Sequence, residues 1–327
     1  SIPMHRGGIN PFKDLKTMYY IWRFFQKVSP DIVHLVTIKP YLYGGIIARL
    51  TQVPSLVSAV AGLGSIFVHN NLRSQLLRWL LYPVYRLAFN HSNQRVIVQN
   101  KDDAKVLVDW GTLNSQKVRL LRGSGAELEK FLHLDEPDGT PKICFAARLL
   151  RDKGVYDFIS AAHLLRKRGI QAKFFLAGKL DVKSPTGLNI NDLNKLKEDE
   201  SIEVLGHEKN ITTLYAKSHI ICLPSYYREG LPKALIEAAA ASRAVVTTNV
   251  PGCRDAIIPN KTGLLVPPKN PEKLADALQW LIEHPQERIA MGKAGRELAE
   301  KEFKIEKIVK KHLDIYQVHS IVIYPSS

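Results

Sequence analysis

Short runs of Val, Ile and Leu alternate along the chain with segments whose apolar residues recur every three or four positions. The runs predict buried strands, and the segments predict helices that cover them. In the first part of the chain the predicted strands are 31–36, 55–62, 95–100 and 117–123. The predicted helices between them are 43–51, 71–90 and 102–111. This alternation is typical of a parallel sheet covered on both faces.

The alternation resumes after a polar stretch at 133–141, which we interpret as a linker between domains. The next predicted strands are 142–148, 172–178, 202–206, 219–225, 244–249 and 263–268. The next predicted helices are 154–168, 232–242, 271–284, 286–301 and a last one that ends near 316. The pattern therefore predicts two doubly wound α/β units. We place them at 1–135 and 136–310, with a tail at 311–327 that docks on the first domain.

The length and the net charge of the chain restrict the number of domains and the classes of partner that fit it. A chain of 327 residues fits two domains of roughly 150 residues each. The net charge of +15 calls for an acidic partner, such as nucleotide phosphates, nucleic acid or an anionic membrane. Residues 1–136 contain 17 Lys and Arg against 9 Asp and Glu, and the remainder contains 29 against 22. Because the excess is spread evenly, it argues against a nucleic-acid-binding protein.

The cysteines and the motifs for metal sites are equally informative. Cys144, Cys222 and Cys253 lie among apolar or small residues and form no Cys-x-x-Cys pair, so we predict buried thiols in a reducing compartment. The sequence contains no Asp-x-Asp, no His-Glu-x-x-His and no cluster of Cys and His. We therefore predict that the protein requires neither a metal ion nor a cofactor.

The strongest chemical signal is the segment SYYREGLPKALIEAAAAS at 225–242. Glu229 and Glu237 are eight positions apart, just over two helical turns, which predicts both carboxylates near one face. Glu229 lies between a strand and a helix, where α/β sheets bind ligands and helix N-termini attract anions. Gly230 permits a close backbone approach, and Pro232 suits a first helical turn. The alternative is that Glu229 merely caps the helix and that Glu237 is a solvated helix residue. Glu237, however, lies in an alanine-rich, apolar helix, where a charged side chain is unexpected unless it has a function.

The second signal is FAARLLRDKG at 145–154, which has the same strand, loop and helix pattern. Arg148 and Lys153 leave one strand end, and Gly154 opens the following helix. Two cations above the carboxyl edge of a sheet suit a diphosphate, since Arg pairs in a bidentate way and Lys acts as a point charge. The alternative is a pair of ordinary surface charges.

Small loops end three further strands, at 176–179, 205–210 and 251–255. Their backbone groups are suited to framing a nucleoside, although each loop is a weak signal alone. Gly178 and His207 are the candidate binding residues in them.

Taken together and in order, these motifs resemble retaining glycosyltransferases of the GT-B fold, family 4. The likeness extends from about residue 10 to residue 310. It rests on Arg148 and Lys153, Gly178, the Glu229–Glu237 segment and residues 247–278. Segments 34–50 and 59–67 are similar to a bacterial branch that builds polysaccharide or glycan repeat units on undecaprenyl diphosphate.

The resemblance implies two Rossmann-like domains that face a cleft, and a nucleotide-sugar donor, most often UDP-linked. In the family, Arg148 and Lys153 would hold the donor diphosphate. Glu229 would contact the hydroxyls of the donor sugar, and Glu237 those of the ribose. The resemblance also implies front-face attack without a protein nucleophile, in which the leaving phosphate helps to take the acceptor proton.

Three neighbours of Glu229 share one expected role. In the family, the backbone N–H groups or the shape of these residues would match the sugar and phosphate of the donor; the residues are Gly230, Leu231 and Pro232.

The chain departs from the family in its first domain. The family's amino-terminal unit begins with a strand and a Gly-rich loop, so we expect a truncated first domain that lacks about 60 residues. Many members also carry a His in the loop after the strand matched by 55–62. Here that loop contains Gly62 and Gly64, which we take as further candidate binding residues.

Two segments, 15–28 and 72–89, interleave aromatic residues with Lys and Arg. Basic amphipathic helices rich in Trp and Tyr suit the surface of an anionic bilayer, although helices that cover a sheet are apolar in any case. We expect a cytoplasmic protein, peripheral on the inner face of a bacterial membrane, with a lipid-linked sugar acceptor. The alternatives are a sugar-nucleotide-binding remnant without turnover and an epimerase of the same fold.

Overall fold

The computed structural model describes residues 2–4, 10–67, 71–131 and 135–323. These residues form two compact units. Unit 1 takes in the described residues of 1–122, 228–230 and 306–327, and unit 2 takes in those of 123–227 and 231–305. The first division falls at Gly123, earlier than the linker predicted at 133–141, because residues 126–131 pack into the core of unit 2. Residues 132–134 of that linker lie outside the described part of the chain.

Unit 1 is built on a parallel sheet of four strands in the order β1-β2-β3-β4. The strands are β1 (Ile32–Val36), β2 (Ser55–Val60), β3 (Gln94–Val98) and β4 (Val118–Leu120). Its first helices are α1 (Pro11–Val28), α2 (Gly45–Leu50), α3 (Leu72–Ala88) and α4 (Lys101–Asp109). Alternate residues of a strand point to opposite faces, so this sheet has two separate apolar layers.

One face of this sheet is covered by α1, α2 and α3. Leu56 of β2 packs with Phe25 of α1, and Val60, on the same face of β2, packs with Tyr85 of α3. The opposite face carries Val57, which packs with the last helix of the chain.

Unit 2 is built on a parallel sheet of six strands in the order β10-β9-β8-β5-β6-β7. The strands are β5 (Lys142–Ala146), β6 (Lys173–Ala177), β7 (Glu203–Gly206), β8 (Ile220–Leu223), β9 (Ala244–Thr248) and β10 (Gly263–Val266). The helices are α5 (Val155–Lys167), α6 (Ile190–Lys197), α7 (Ile211–Ala216), α8 (Lys233–Ala240), α9 (Pro271–Glu283) and α10 (Pro285–Leu298). One continuous apolar core holds these elements together.

The last helix, α11 (Ile305–Ile323), belongs to unit 1 from Glu306 onwards. Its Ile308 and Ile315 pack against Val57 and Ile97 of the unit 1 sheet. Tyr316 also lies 2.7 Å from His34 of β1, from its hydroxyl oxygen to Nδ1. The part of the predicted tail at 324–327 lies outside the described residues.

The predicted class, two α/β units with parallel sheets, is confirmed. Every strand predicted from an apolar run is present, within a few residues at its ends. The side chains of all three cysteines are buried, as predicted. Two helices, α6 and α7, escaped prediction because they have only eight and six residues, which is too short for a clear helical period. Among the described helices, none is both long enough and apolar enough to cross a bilayer.

Candidate active site

The sheet of unit 2 reverses its direction of growth between β5 and β8. From β5 the chain adds β6 and β7 on one side, and then returns to add β8, β9 and β10 on the other. Ile143 of β5 pairs with Ile220 of β8, so the loops that follow the two strands leave the sheet side by side. Open α/β sheets bind ligands at the carboxyl ends of strands at such a switch point.

Hydrogen bonds tie the two loops at this switch point together. The carbonyl oxygen of Asp152, after β5, accepts from the N–H groups of Tyr226 at 3.0 Å and Tyr227 at 3.1 Å, after β8. Gly154 has φ of +80°, and a Cβ there would lie 2.1 Å from the carbonyl oxygen of Pro224. Glycine is therefore required at the start of α5, since a side chain would force the two loops apart.

Arg148 and Lys153 both follow β5, as predicted from the apolar run. The guanidinium of Arg148 lies 2.9 Å from the carboxylate of Asp181, which follows β6, and its side chain is 59% exposed. An exposed ion pair contributes little free energy, so the guanidinium can leave Asp181 and bind an anionic ligand with little loss of stability. Lys153 closes the tight turn that leads into α5.

Gly178 follows β6 and has a clear packing reason to be glycine. A Cβ there would lie 1.9 Å from the carbonyl oxygen of Ala147, and its own N–H donates to Gly206 at 2.7 Å. The loops after β5, β6 and β7 are thereby kept close together. His207, the next residue after β7, is exposed. The predicted contacts of Gly178 and His207 with a nucleoside stay predictions.

Glu237 lies on α8, and its side chain is only 15% exposed. Burial raises the pKa of its carboxyl, although Lys233 acts in the opposite direction from 3.7 Å. The carboxylate lines a cavity of about 470 Å³ within unit 2, together with Lys130, Lys209 and Asn210. A partly buried acceptor among ammonium groups suits a ligand that combines hydroxyls with negative charge.

Another cavity of unit 2, of about 510 Å³, lies at β10 and α9 and is lined by Leu264, Val266 and Trp280. It contains none of the predicted site residues. We therefore place the candidate site at the switch point and at Glu237 rather than in this slightly larger cavity.

The predicted shared helical face of Glu229 and Glu237 is wrong. Helix α8 begins at Lys233 with Pro232 as its N-cap, so Glu229 precedes the helix and a helical period does not relate the two carboxylates. Leu231 is buried in the core of unit 2, which leaves only its backbone for a ligand. Glu229 itself belongs to the segment 228–230 of unit 1.

Within unit 1, backbone from the loop after β2 meets the segment that carries Glu229. Gly62 has φ of +106°, and a Cβ there would lie 2.9 Å from both the carbonyl oxygen of Arg228 and the nitrogen of Gly230. Gly64 also has positive φ, of +71°. The conformation of this loop therefore explains both glycines, and their role in binding stays a prediction.

The structure adds three residues that the sequence analysis missed, namely Asn100 and Asp103 at the start of α4 and Arg228 of the segment 228–230. Asn100 donates from its amide to the carbonyl oxygens of Glu229 at 3.2 Å and Gly230 at 2.9 Å. Asp103 accepts from Arg228 at 2.7 Å. An Asn after a buried strand, with Asp three positions on, is an N-cap signature that would have marked the site of two of them.

The described residues contain no group of three or more His, Cys, Asp or Glu side chains that could hold a metal ion. Arg148, Lys153, Glu229 and Glu237 stay the candidate residues, and their contacts with phosphate and hydroxyl groups stay predictions.

Comparison with known families gives two matches. The model of the family described as Glycosyl transferases group 1 matches residues 128–298. The model of the family described as Glycosyl transferase 4-like matches residues 2–100.

Curated relatives match most of the chain. It is 27% identical to the N,N'-diacetylbacillosaminyl-diphospho-undecaprenol alpha-1,3-N-acetylgalactosaminyltransferase of Campylobacter jejuni, over 88% of this chain and 77% of that protein. It is 26% identical to the capsular polysaccharide biosynthesis glycosyltransferase CapM of Staphylococcus aureus, over 92% of this chain and 80% of that protein. It is 24% identical to the UDP-Gal:alpha-D-GlcNAc-diphosphoundecaprenol alpha-1,3-galactosyltransferase of Escherichia coli, over 96% of this chain and 82% of that protein.

Solved structures share the fold. A glycosyltransferase from Rickettsia africae superposes with a TM-score of 0.76 at 21% identity, over 97% of this chain and 84% of that one. Anabaena HepE, solved in complex with UDP-glucose, superposes with a TM-score of 0.76 at 16% identity, over 95% of this chain and 84% of that one. Since the first family model alone spans more than half of the 327 residues, this chain belongs to the group 1 glycosyl transferases and is a glycosyltransferase of the GT-B fold.

Proposed function

We propose that the chain transfers a hexose or an N-acetylhexosamine from a UDP-linked donor, with retention, to a glycan carried on a polyprenyl diphosphate. The observation that carries this proposal is the switch point of unit 2, where the loop with Arg148 and Lys153 is tied to the loop that leads to Glu229. The names of the relatives from Campylobacter and Escherichia coli, both of which act on diphospho-undecaprenol-linked sugars, support the acceptor class.

The donor half of the proposal assigns one role to each charged group. Arg148 and Lys153 bind the diphosphate, since both leave the carboxyl end of β5 at the switch point. Glu237 accepts hydrogen bonds from the ribose hydroxyls in the cavity that it lines. Glu229 accepts from the hydroxyls of the transferred sugar.

In the proposed reaction, the bond between the anomeric carbon and the diphosphate oxygen breaks while an acceptor hydroxyl attacks from the same face. The acceptor proton passes to the departing phosphate oxygen. Negative charge therefore develops on the diphosphate, where Arg148 and Lys153 stabilise it more strongly in the transition state than in the bound donor. Neither a protein nucleophile nor a metal ion takes part.

We also propose that the protein acts on the cytoplasmic face of a bacterial membrane, which it contacts through α1 and α3. A polyprenyl-linked acceptor stays in the bilayer, so an enzyme that uses it must reach the membrane surface. Trp22 of α1 and Trp79 of α3 are among the exposed apolar side chains of these helices. Both helices also carry several cations, which suits anionic lipid.

Replacing Arg148 by Ala is expected to weaken UDP binding about tenfold, because the change removes a charge-assisted contact to the diphosphate worth about 1.5 kcal/mol. Isothermal titration calorimetry measures this directly. Arg166→Ala is the matched control, since Arg166 forms another exposed pair, with Glu200. Equal UDP affinity in the Arg148 variant and the control would refute the diphosphate role.

The base of the donor is best identified by thermal shift with UDP-, GDP- and ADP-sugars. A ligand at 100 times its dissociation constant adds about 2.7 kcal/mol to the free energy of unfolding, so the preferred base raises the melting temperature most. Binding without transfer to any lipid-linked acceptor would favour a remnant without turnover. Isomerisation of the donor sugar would favour an epimerase.

A further inference from the structure

The three-residue segment 228–230 belongs to unit 1, although the residues on both sides of it belong to unit 2. Glu229 is its central residue. The segment meets unit 1 at the carboxyl ends of β2 and β3, which are adjacent parallel strands with Val60 paired to Val98. The contacts that fix this short segment therefore fix the backbone from which the Glu229 side chain extends.

The side-chain amide of Asn100 holds the backbone of the segment. Asn100 is 1% exposed, and its amide nitrogen lies 3.2 Å and 2.9 Å from the carbonyl oxygens of Glu229 and Gly230. The same nitrogen lies 3.0 Å from the Asp103 carboxylate. Its amide oxygen accepts from the backbone N–H of Asp103 at 2.8 Å, which caps α4. One buried side chain thus joins the Glu229 backbone to the start of a rigid helix.

A buried ion pair holds the neighbouring side chain. The Asp103 carboxylate is fully buried, and it accepts from Nε of Arg228 at 2.7 Å. Burial raises the pKa of the Asp103 carboxyl, whereas the Arg228 guanidinium opposes that rise. A buried carboxylate that loses its cation is strongly unfavourable, so the pair allows Arg228 very few positions.

Backbone packing restricts the segment from the other side. A Cβ on Gly230 would lie 2.1 Å from the side-chain oxygen of Gln99 and 3.0 Å from the carbonyl carbon of Ala61. A Cβ on Gly62 would meet Arg228 and Gly230. Segment 228–230 is therefore held by hydrogen bonds, by an ion pair and by contact with two loops of unit 1.

We propose that Asn100 and the Asp103–Arg228 pair are positioning residues for Glu229, which act by fixing the backbone of the segment that carries its carboxylate. The inference rests on the proposed role of Glu229 in transfer. It predicts a difference between two groups of variants: loss of Arg148, Lys153 or Glu237 lowers the affinity for the nucleotide, whereas loss of the contacts at the start of α4 lowers the rate of transfer and leaves that affinity unchanged.

The test compares Asn100→Ser with Asn114→Ser. Serine at position 100 keeps an N-cap acceptor for α4 but has no amide to reach the two carbonyl oxygens. Asn114 is a matched control, since its side chain accepts from the N–H of Gln116 at 2.9 Å in an exposed turn of unit 1. We expect Asn100→Ser to lower kcat by about 10- to 100-fold, as a small displacement of a reacting group does. UDP affinity by calorimetry should change by less than about twofold.

A second pair of variants tests the ion pair. Arg228→Lys keeps a cation beside Asp103 and should retain transfer to within about threefold, whereas Arg228→Met should lower kcat as far as Asn100→Ser does. A role in stability alone would lower the folded fraction and leave kcat per folded molecule unchanged.

Three outcomes overturn the inference: wild-type kcat in Asn100→Ser, a fall in kcat matched by an equal loss of UDP affinity, or an equal fall in Asn114→Ser. Glu229→Gln separates this failure from failure of the proposed function. If Glu229→Gln is inactive while Asn100→Ser is wild type, only the positioning role is refuted. If Glu229→Gln is active, the proposed site itself is wrong.

Discussion

Replacing Glu229 by Gln is expected to lower the rate of sugar transfer about 1,000-fold and to leave UDP affinity within about twofold. Hydrogen bonds to a charged acceptor contribute about 1.5–3 kcal/mol each, and a neutral amide of the same shape loses most of that. If Glu229 binds two hydroxyls of a sugar whose ring becomes cationic, the loss is concentrated in the transition state. The measurement is the initial rate of transfer from a radiolabelled donor, with calorimetry for UDP.

The matched control is Glu200→Gln. Glu200 is 82% exposed and pairs with Arg166 on the surface of unit 2, so its substitution removes the same charge away from the candidate site. The unfolding curve of Glu200→Gln should agree with that of the wild type, because surface charges contribute little to stability. Glu229 is partly buried, so the unfolding curve of Glu229→Gln is measured to give the folded fraction to which its rate is referred. A Glu229 variant that transfers sugar at the wild-type rate would remove the site assignment.

The sheets and the loops after the strands could be predicted from the sequence because buried parallel strands are continuous apolar runs. β5 and β8 gave such runs, which placed Arg148 and the segment before Glu229 at strand ends. The order of strands could not be obtained in this way, since adjacent strands need not be consecutive. That β5 and β8 are neighbours is a property of the three-dimensional structure.

The geometry around Glu229 was missed for a different reason. Its spacing from Glu237 fits a helix, but Pro232 as N-cap starts α8 after Glu229. Asn100 and Asp103 reach Arg228 and the Glu229 backbone across more than 100 positions of sequence. Local patterns identify Asn100 as a helix cap, and only the fold shows that its amide also binds another segment.

The short helices show how capping signals complement periodicity. α6 has a capping box between Asn189 and Asp192, and Asn210 caps α7. Both signals were present in the sequence, but neither helix is long enough to produce a clear period of apolar residues. Asn210 also lines the cavity beside Glu237, so the missed helix α7 contributes to the candidate site.

Removing two apolar side chains from α3 is expected to lower binding to anionic vesicles about 100-fold. Exposed apolar residues recur along one side of this helix: Leu72, Leu76, Trp79, Leu80 and Leu87. The helix contains three Arg and neither Asp nor Glu. An apolar stripe flanked by cations suits the interface of an anionic bilayer. The double variant Leu76→Ser, Trp79→Ser removes two side chains worth about 1.5 kcal/mol each when buried in lipid.

α1 lies on the same side of the unit 1 sheet and adds a second stripe. Both helices contact α2, and both pack on the face of β2 that carries Leu56 and Val60. The side chains of α1 that point to the core are Asp14, Thr17, Ile21 and Phe25. The exposed apolar stripe of α1 is Phe12, Leu15, Tyr19 and Trp22. The proposed membrane-binding surface therefore consists of exposed apolar side chains from both helices.

The measurement is co-sedimentation with vesicles of phosphatidylglycerol, at low salt and again at high salt, with phosphatidylcholine vesicles for comparison. Val309→Ser, Leu313→Ser is the matched control, because these exposed residues lie on α11, which packs on the opposite face of the sheet. Wild type and control should bind phosphatidylglycerol equally and lose affinity as salt screens the Arg side chains. Equal binding by the α3 variant would show that this helix does not meet the bilayer. In that case, a lipid-linked acceptor would have to reach the enzyme by another surface.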